Sequence, residues 1–229
     1  MRLRPTVLSS LAAVSVLTMS SCSQATPTVP AGKTPSSPTQ PSGEPEPDAP
    51  RSSGQLQDRL LTTADLGQGY TVKPARQAHH DDVTVVGCPA LEKLGEAAAT
   101  GRLGISRHAS VSFTYRGEAD SEVSEDLYSD SASKLSAEGQ RIFAAMVSCP
   151  SYRVTVGSTP IEISTAKEVA PRLGKEQWSQ TLAFTVGGRS SVLKQTAVRT
   201  GTVLVVVSGS PGLVDAHVHK AVRTARTAT

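Results

Sequence analysis

Val203-Leu204-Val205-Val206-Val207 is the stretch of this 229-residue sequence that most constrains the fold. The run is apolar without interruption, and four of its five residues are β-branched valines, which favours a strand. Successive side chains of a strand point to opposite faces of the sheet. An uninterrupted apolar run therefore predicts a central strand that is buried on both faces.

Further strands are predicted on the N-terminal side of this run. Trp178 to Val186 alternates large apolar residues with polar ones, and Gly187-Gly188 predicts a hairpin turn into a strand over Val192 to Arg199. Ala109 to Tyr115 alternates in the same way, and a return strand follows it. Shorter strands are predicted at three other places: Tyr70 to Lys73, Tyr152 to Val156 and Ile161 to Thr165.

Helical periodicity marks three other segments. Pro89 to Ala99 begins with a proline at a first-turn position, Ser131 to Ser148 carries one apolar stripe, and a last helix follows Gly212. The segment from Arg76 to Gly87 is polar and predicts a loop. Together the elements predict an α+β domain: a twisted antiparallel sheet with helices packed on one face.

The N-terminus has the pattern of a bacterial lipoprotein leader. Residues 1–21 combine Arg2 and Arg4 with a short apolar stretch, and Met19-Ser20-Ser21 precedes Cys22. The apolar stretch is too short to span a bilayer and predicts a removed signal peptide. We expect lipidation at Cys22, which would anchor the protein to the outer face of the cytoplasmic membrane. The alternative is an ordinary secretory leader, with Cys22 incidental.

Residues 22–54 form a linker rich in proline, serine and threonine. Such a composition cannot bury enough apolar surface to offset the entropy of ordering, so the linker is predicted to stay disordered. The remaining residues, 55–229, suffice for one domain with a core of its own. A disordered tether of this kind suits a domain that stands away from a membrane.

The charge balance narrows the classes of partner. The chain has 23 Lys and Arg residues against 20 Asp and Glu, which argues against nucleic acid as a partner. An abundance of Ala, Gly, Val, Thr and Arg is typical of a GC-rich genome, such as that of an actinobacterium.

With Cys22 acylated, two cysteines remain in the domain. Cys88 and Cys149 are each followed by proline, and outside the cytosol such a pair most simply forms a disulfide. Two buried free thiols are the alternative.

No motif predicts catalysis, a metal or a cofactor. His79-His80-Asp81-Asp82 has metal-binding residue types, but its neighbouring side chains point apart in an extended loop. The sequence has no Gly-x-Ser-x-Gly elbow and no glycine-rich phosphate loop, so we do not expect an enzyme. Aromatic residues are scarce, and Trp178, Tyr115 and Tyr128 are the candidates for ligand contact, with core packing as the alternative role.

Several short patterns resemble one known family. They are Leu60 to Tyr70, Cys88-Pro89-Ala90-Leu91, Phe143 with Cys149-Pro150, and Leu173-Gly174 before Trp178. Their order resembles the extracellular sensor domains of PknH-type actinobacterial serine/threonine kinases and the lipoproteins that carry this domain without a kinase. The resemblance implies a cleft between sheet and helices that receives an extracellular ligand, and no catalytic residues. Family members often have a second disulfide, for which this chain lacks the cysteines.

The expected function is therefore that of a lipid-anchored, non-catalytic, sensor-like protein that binds a ligand or a protein partner in the cell envelope. A lipid or glycolipid carrier is the first alternative, and it requires a deep apolar cavity. A cell-wall hydrolase is the second.

Overall fold

A computed structural model describes residues 49–74, 83–95, 103–116 and 121–227. Within these ranges nine strands form one sheet: β1 (Tyr70–Lys73), β2 (Val83–Val86), β3 (Arg107–Tyr115), β4 (Glu122–Ser129), β5 (Ser151–Val156), β6 (Thr159–Glu168), β7 (Glu176–Val186), β8 (Arg189–Thr200) and β9 (Val203–Gly209). The helices in the same ranges are α1 (Ser53–Gln57), α2 (Thr63–Leu66), α3 (Pro89–Glu92), α4 (Ala132–Ser148) and α5 (Pro211–Arg226).

The sheet is antiparallel throughout, with the strand order β1-β3-β4-β9-β8-β7-β6-β5-β2. Consecutive strands from β5 to β9 pair with each other: two-residue turns join β5 to β6, β7 to β8 and β8 to β9, and residues 169–175 join β6 to β7. Gly187 and Gly188, which connect β7 to β8, have φ values of 54° and 79°. Positive φ at both central residues is what a tight hairpin turn of the right twist requires, and glycine adopts it without strain. The predicted antiparallel α+β class is confirmed.

β9 is buried on both faces, as its sequence predicts. Val203, Val205 and Val207 pack into one hydrophobic core, and Leu204 and Val206 pack into another on the opposite face. Both cores exist because neighbouring side chains of a strand point in opposite directions.

The helices lie on both faces of the sheet, so the prediction that they pack on one face is wrong. We name the two cores after their main helices. The α5 core lies between β3, β4, β8 and β9 and the helices α1, α2 and α5; it includes Leu56, Phe113, Leu127, Val205 and Val218. The α4 core lies between the helices α3 and α4 and the strands β9, β8, β7, β6, β5 and β2. It includes Leu91, Leu135, Phe143, Ile163 and Leu204.

Cys88 and Cys149 form the predicted disulfide, with their Cα atoms 5.7 Å apart. The bond joins the start of α3 to the end of α4, and both cysteines are buried in the α4 core. It closes a loop with a sequence separation of 61 residues. By the chain-entropy argument such a loop contributes about 4 kcal/mol of stability.

Residues just before Gln55, assigned from sequence to the linker, already contact the sheet. The Arg51 N–H donates to Ser129 Oγ at 2.8 Å, and Thr202 Oγ1 donates to the Ala49 carbonyl at 3.3 Å. A capping box formed by Ser52 and Gln55 begins α1, whose Leu56 is fully buried. Contacts of the folded domain therefore start before Gln55.

The linker upstream and Cys22 lie outside the described residues. No helix within the described ranges has the length and the apolar character needed to cross a membrane.

The segment predicted as a loop from Arg76 to Gly87 contains β2, an edge strand that pairs with β5. Val83-Thr84-Val85-Val86 has the β-branched composition of a strand, and the loop assignment for this part was wrong. The helix predicted over Pro89 to Ala99 begins at Pro89, but α3 ends at Glu92, and residues 96–99 lie outside the described ranges. The remaining predicted strands and helices fall within a few residues of the observed ones.

Candidate functional site

The α4-facing side of the sheet is not covered completely by α4. Two adjoining cavities, of about 380 Å³ and about 330 Å³, lie over β4, β9, β8 and β7. Ser124, Phe184, Leu193 and Ser208 line both cavities, so the two form one continuous depression, which we call the groove. Met146 of α4 also lines it.

A row of polar residues crosses the sheet beneath the groove. In the strand register Ser112 of β3 is opposite Ser124 of β4, Ser124 is opposite Ser208 of β9, Ser208 is opposite Gln195 of β8, and Gln195 is opposite Gln180 of β7. Residues directly opposite in a ladder share a face, so these five side chains form one line. We call this line the polar row.

Hydrogen bonds fix one half of the polar row. Gln180 Nε2 donates to Gln195 Oε1 at 2.9 Å, and Gln195 Nε2 donates to Ser208 Oγ at 3.3 Å. Gln180 is fully buried, and its Nε2 also lies 3.2 Å from Met146 Sδ beneath α4. The row is thus anchored under the helix at Gln180 and accessible at Gln195 and Ser208.

This arrangement of hydrogen bonds lowers the stability of the fold at Gln180. Its Oε1 is buried and has no hydrogen-bond partner among the described residues. An unpaired buried acceptor costs about 1–3 kcal/mol. A leucine of similar volume would avoid that cost, so stability alone does not account for a glutamine here.

Aromatic and apolar side chains wall the groove. Tyr128 and Tyr152, both nearly fully buried, line it beside Met146. The Tyr128 ring stacks on His108 with centroids 4.5 Å apart, and His108 Nε2 lies 2.9 Å from Asp126 Oδ1. Burial raises the pKa of the Tyr152 hydroxyl.

A cation next to the groove is already paired: Lys73 lies opposite Ser112 in the strand register and bonds to Glu122. Among the described residues that line the two cavities there is neither lysine nor arginine. The acidic side chains there are Glu122 and Asp126, which pair with Lys73 and His108.

The three aromatic residues predicted for ligand contact do not form one site. Tyr128 lines the groove. Trp178 lies on the same face under α4, where it packs against Phe143 with centroids 5.8 Å apart, and it lines a separate cavity of about 550 Å³. A Cβ on Gly139 would lie 3.1 Å from the Trp178 ring, so the glycine allows this close approach. Their roles in ligand contact stay predictions.

Tyr115 lies on the other face of the sheet. It is the last residue of β3 and lies on the same face of that strand as Phe113 and Ala109 of the α5 core. The centroid of its ring is 4.8 Å from that of Tyr70. Tyr70 in turn hydrogen-bonds through its hydroxyl to His217 Nε2 at 2.6 Å. Burial lowers the pKa of His217, which favours the neutral imidazole in this contact.

Glu125 is a buried acid that is not apparent from the sequence, because Asp and Glu cluster from Glu118 to Asp130 and such a cluster predicts a solvated edge. Its side chain points into the α5 core, between Val111 and Val207 in the strand register. Glu125 Oε2 accepts the Leu61 N–H at 2.6 Å, while Oε1 has no partner among the described residues. Burial raises the pKa of Glu125 to about 8.

His79 to Asp82 lie outside the described residues. Within the described ranges, no group of three or more His, Cys, Asp or Glu side chains converges in a way that could hold a metal ion.

Comparison with solved structures shows a shared fold. The chain is similar to the extracellular domain of PknH from Mycobacterium tuberculosis, with a TM-score of 0.57 and 15% sequence identity, over 78% of this chain and 98% of that one. The resemblance seen in the sequence is thereby confirmed at the level of the fold. No protein-family model matches the sequence, and no curated protein matches it.

Glu125 predicts a pH dependence of stability. Because its folded pKa is raised, the folded state keeps a proton that the unfolded state loses above pH about 4.5. The resulting stability is fully present below pH about 4.5 and is lost as the pH rises towards 8, at up to roughly 1.4 kcal/mol per pH unit. We expect Glu125→Gln to remove this slope in urea unfolding between pH 5 and 8, and to be more stable than the wild type at pH 8.

Glu122→Gln, a change on the same strand at a half-exposed position, is the matched control and should keep the wild-type slope. A Glu125→Gln variant with the unchanged wild-type pH dependence would show that Glu125 is not the buried acid described.

Proposed function

We propose that this protein is an extracytoplasmic, lipid-anchored, non-catalytic receptor domain that binds a ligand of the cell envelope in the groove. The observation that carries the proposal is the buried Gln180, whose unpaired carbonyl lowers stability while its amide holds Gln195 in the groove. A side chain that is costly for folding and orients a groove residue is typical of a binding site. The fold shared with the extracellular domain of PknH supports the same assignment.

The geometry gives less support to the two alternative functions, a hydrolase and a lipid carrier. A hydrolase of the serine or cysteine type needs a nucleophile bonded to a base. Among the described residues, the ring of His108 bonds to Asp126 and that of His217 to Tyr70, and neither partner is a serine or a cysteine. A lipid carrier needs a deep apolar cavity, whereas each of the two cavities of the groove is at the small end of the range for small-molecule sites, and the polar row crosses the floor of the groove.

The position of the chain's N-terminal part suits a tethered receptor. Ala49 contacts Thr202, at the β8–β9 turn, while Ser208 of the groove lies near the other end of β9. At about 3.3 Å per residue, these two ends are separated by roughly 20 Å along the strand. A tether that enters at the Thr202 end would be attached away from the Ser208 end of the groove and would leave that end open to a ligand.

The lipid anchor has its own test. Cells fed radioactive palmitate should label the wild-type protein and not the Cys22→Ala variant, because the thioether at Cys22 would carry the lipid. A wild-type protein that stays unlabelled and keeps its leader would contradict the anchor without affecting the groove.

Gln180→Leu tests the groove. We expect the variant to melt at the same temperature as the wild type or higher, since the unpaired carbonyl is gone. We also expect it to retain at least tenfold less of the species that the wild-type domain captures from a water-soluble envelope extract, measured by mass spectrometry. Gln195 would have lost its donor and its fixed orientation.

Gln177→Leu is the matched control, because Gln177 is another β7 glutamine with an unpaired buried Oε1, and it lines the Trp178 cavity instead. It should leave capture unchanged. Capture that survives Gln180→Leu, or a wild type that captures nothing, would overturn the proposed function.

A further inference from the structure

The polar row specifies a ligand more narrowly than the groove's size does. Neighbouring strands lie about 4.8 Å apart. The five adjacent strands β3, β4, β9, β8 and β7 therefore place five polar side chains over roughly 19 Å. Four of the five, Ser112, Ser124, Ser208 and Gln195, line the two cavities. A linear ligand with polar groups at similar intervals matches this spacing better than a compact one.

The hydrogen bonds already made leave both donors and acceptors free along the row. Ser208 Oγ accepts from Gln195, so its own proton is available to donate. Ser124 Oγ donates to the Ser208 carbonyl at 3.3 Å, so its lone pairs are available to accept. Ligand groups that donate and accept at once, as hydroxyls do, can satisfy both kinds of site.

The charges of the groove disfavour an ionic ligand. A phosphate or carboxylate would lie beside Glu122 and Asp126, and the lysine next to the row, Lys73, is already paired with Glu122. An unpaired charge in a partly buried site is costly. Both acids already have partners in Lys73 and His108, so a cation is not required either.

Apolar surface lies next to the row. Phe184 and Leu193 line both cavities, and Tyr128 and Tyr152 wall the larger one. A ligand with hydroxyls on its edges and C–H groups on its faces would contact the row and the walls together. An extended peptide would instead seek the unpaired backbone of a sheet edge, and the row lies on strand faces in the interior of the sheet.

We infer that the groove takes a neutral glycan chain that lies across the strands along Ser112, Ser124, Ser208 and Gln195. This inference rests on the proposed function, and it names the chemical class of the ligand. Each sugar unit would exchange hydrogen bonds with one or two members of the row, while Phe184 and Leu193 contact its less polar face.

Two probes test the inference on the full domain. The first is calorimetric titration with neutral hexasaccharides, namely cellohexaose, maltohexaose and hexa-N-acetylchitohexaose, and with the corresponding trisaccharides. The second is the water-soluble envelope extract, from which the bound species is recovered, hydrolysed in acid and analysed for released sugars by mass spectrometry. Gln195→Leu is the groove variant and Gln177→Leu the matched control.

The expected result has two parts. At least one hexasaccharide or the extract supplies a bound species, and acid hydrolysis of the species from the extract releases neutral sugars. Gln195→Leu weakens binding at least tenfold and Gln177→Leu leaves it unchanged, and any hexasaccharide that binds does so at least fivefold more tightly than its trisaccharide because it covers more of the row.

The contrary outcomes separate the inference from the proposed function. A bound extract species that releases no neutral sugar on acid hydrolysis and is lost in Gln195→Leu would overturn the glycan assignment and leave the receptor groove standing. No bound species from any probe would overturn both. Binding of a hexasaccharide that Gln195→Leu does not weaken would place it outside the groove and would also overturn the inference.

Discussion

Burial of β9 on both faces is the constraint on which the rest of the structure depends. A strand whose successive residues are all apolar has to be shielded from water on both of its faces. Val205 and Val206 accordingly pack into different cores. Helices are therefore needed on both sides of the sheet. α5 follows β9 directly and covers one side, while α4, tied by the Cys88–Cys149 disulfide, covers the other.

The groove follows from the unequal cover of the two faces. On the α5 side the helices α1, α2 and α5 seal even an acid, Glu125, inside the core. On the α4 side one long helix extends over only part of the sheet. The uncovered part contains the serines and the glutamine of the polar row together with apolar side chains such as Phe184 and Leu193. Gln180 is buried beside Met146 of α4, and its amide donates the hydrogen bond that holds Gln195 in the uncovered part.

Much of the fold could be predicted from the sequence because strand alternation and turn glycines are local signals. The run at Val203 to Val207 even indicated cover on both faces, but periodicity does not say which helix packs against which face, and one-sided packing was inferred wrongly. The polar row could not be predicted: Ser124, Ser208 and Gln195 are distant in sequence, and only the register brings them together. Glu125 was missed because neighbouring acids suggested a solvated edge.

The most direct test of the account is to map where the envelope ligand binds, by following backbone amide NMR shifts of the domain as the extract is added. The account predicts that the shifts concentrate at Ser124, Gln195 and Ser208, with Tyr115 and His217 on the opposite face unmoved. Shifts confined to the Tyr115 face, or to the cavity beside Trp178, would contradict it.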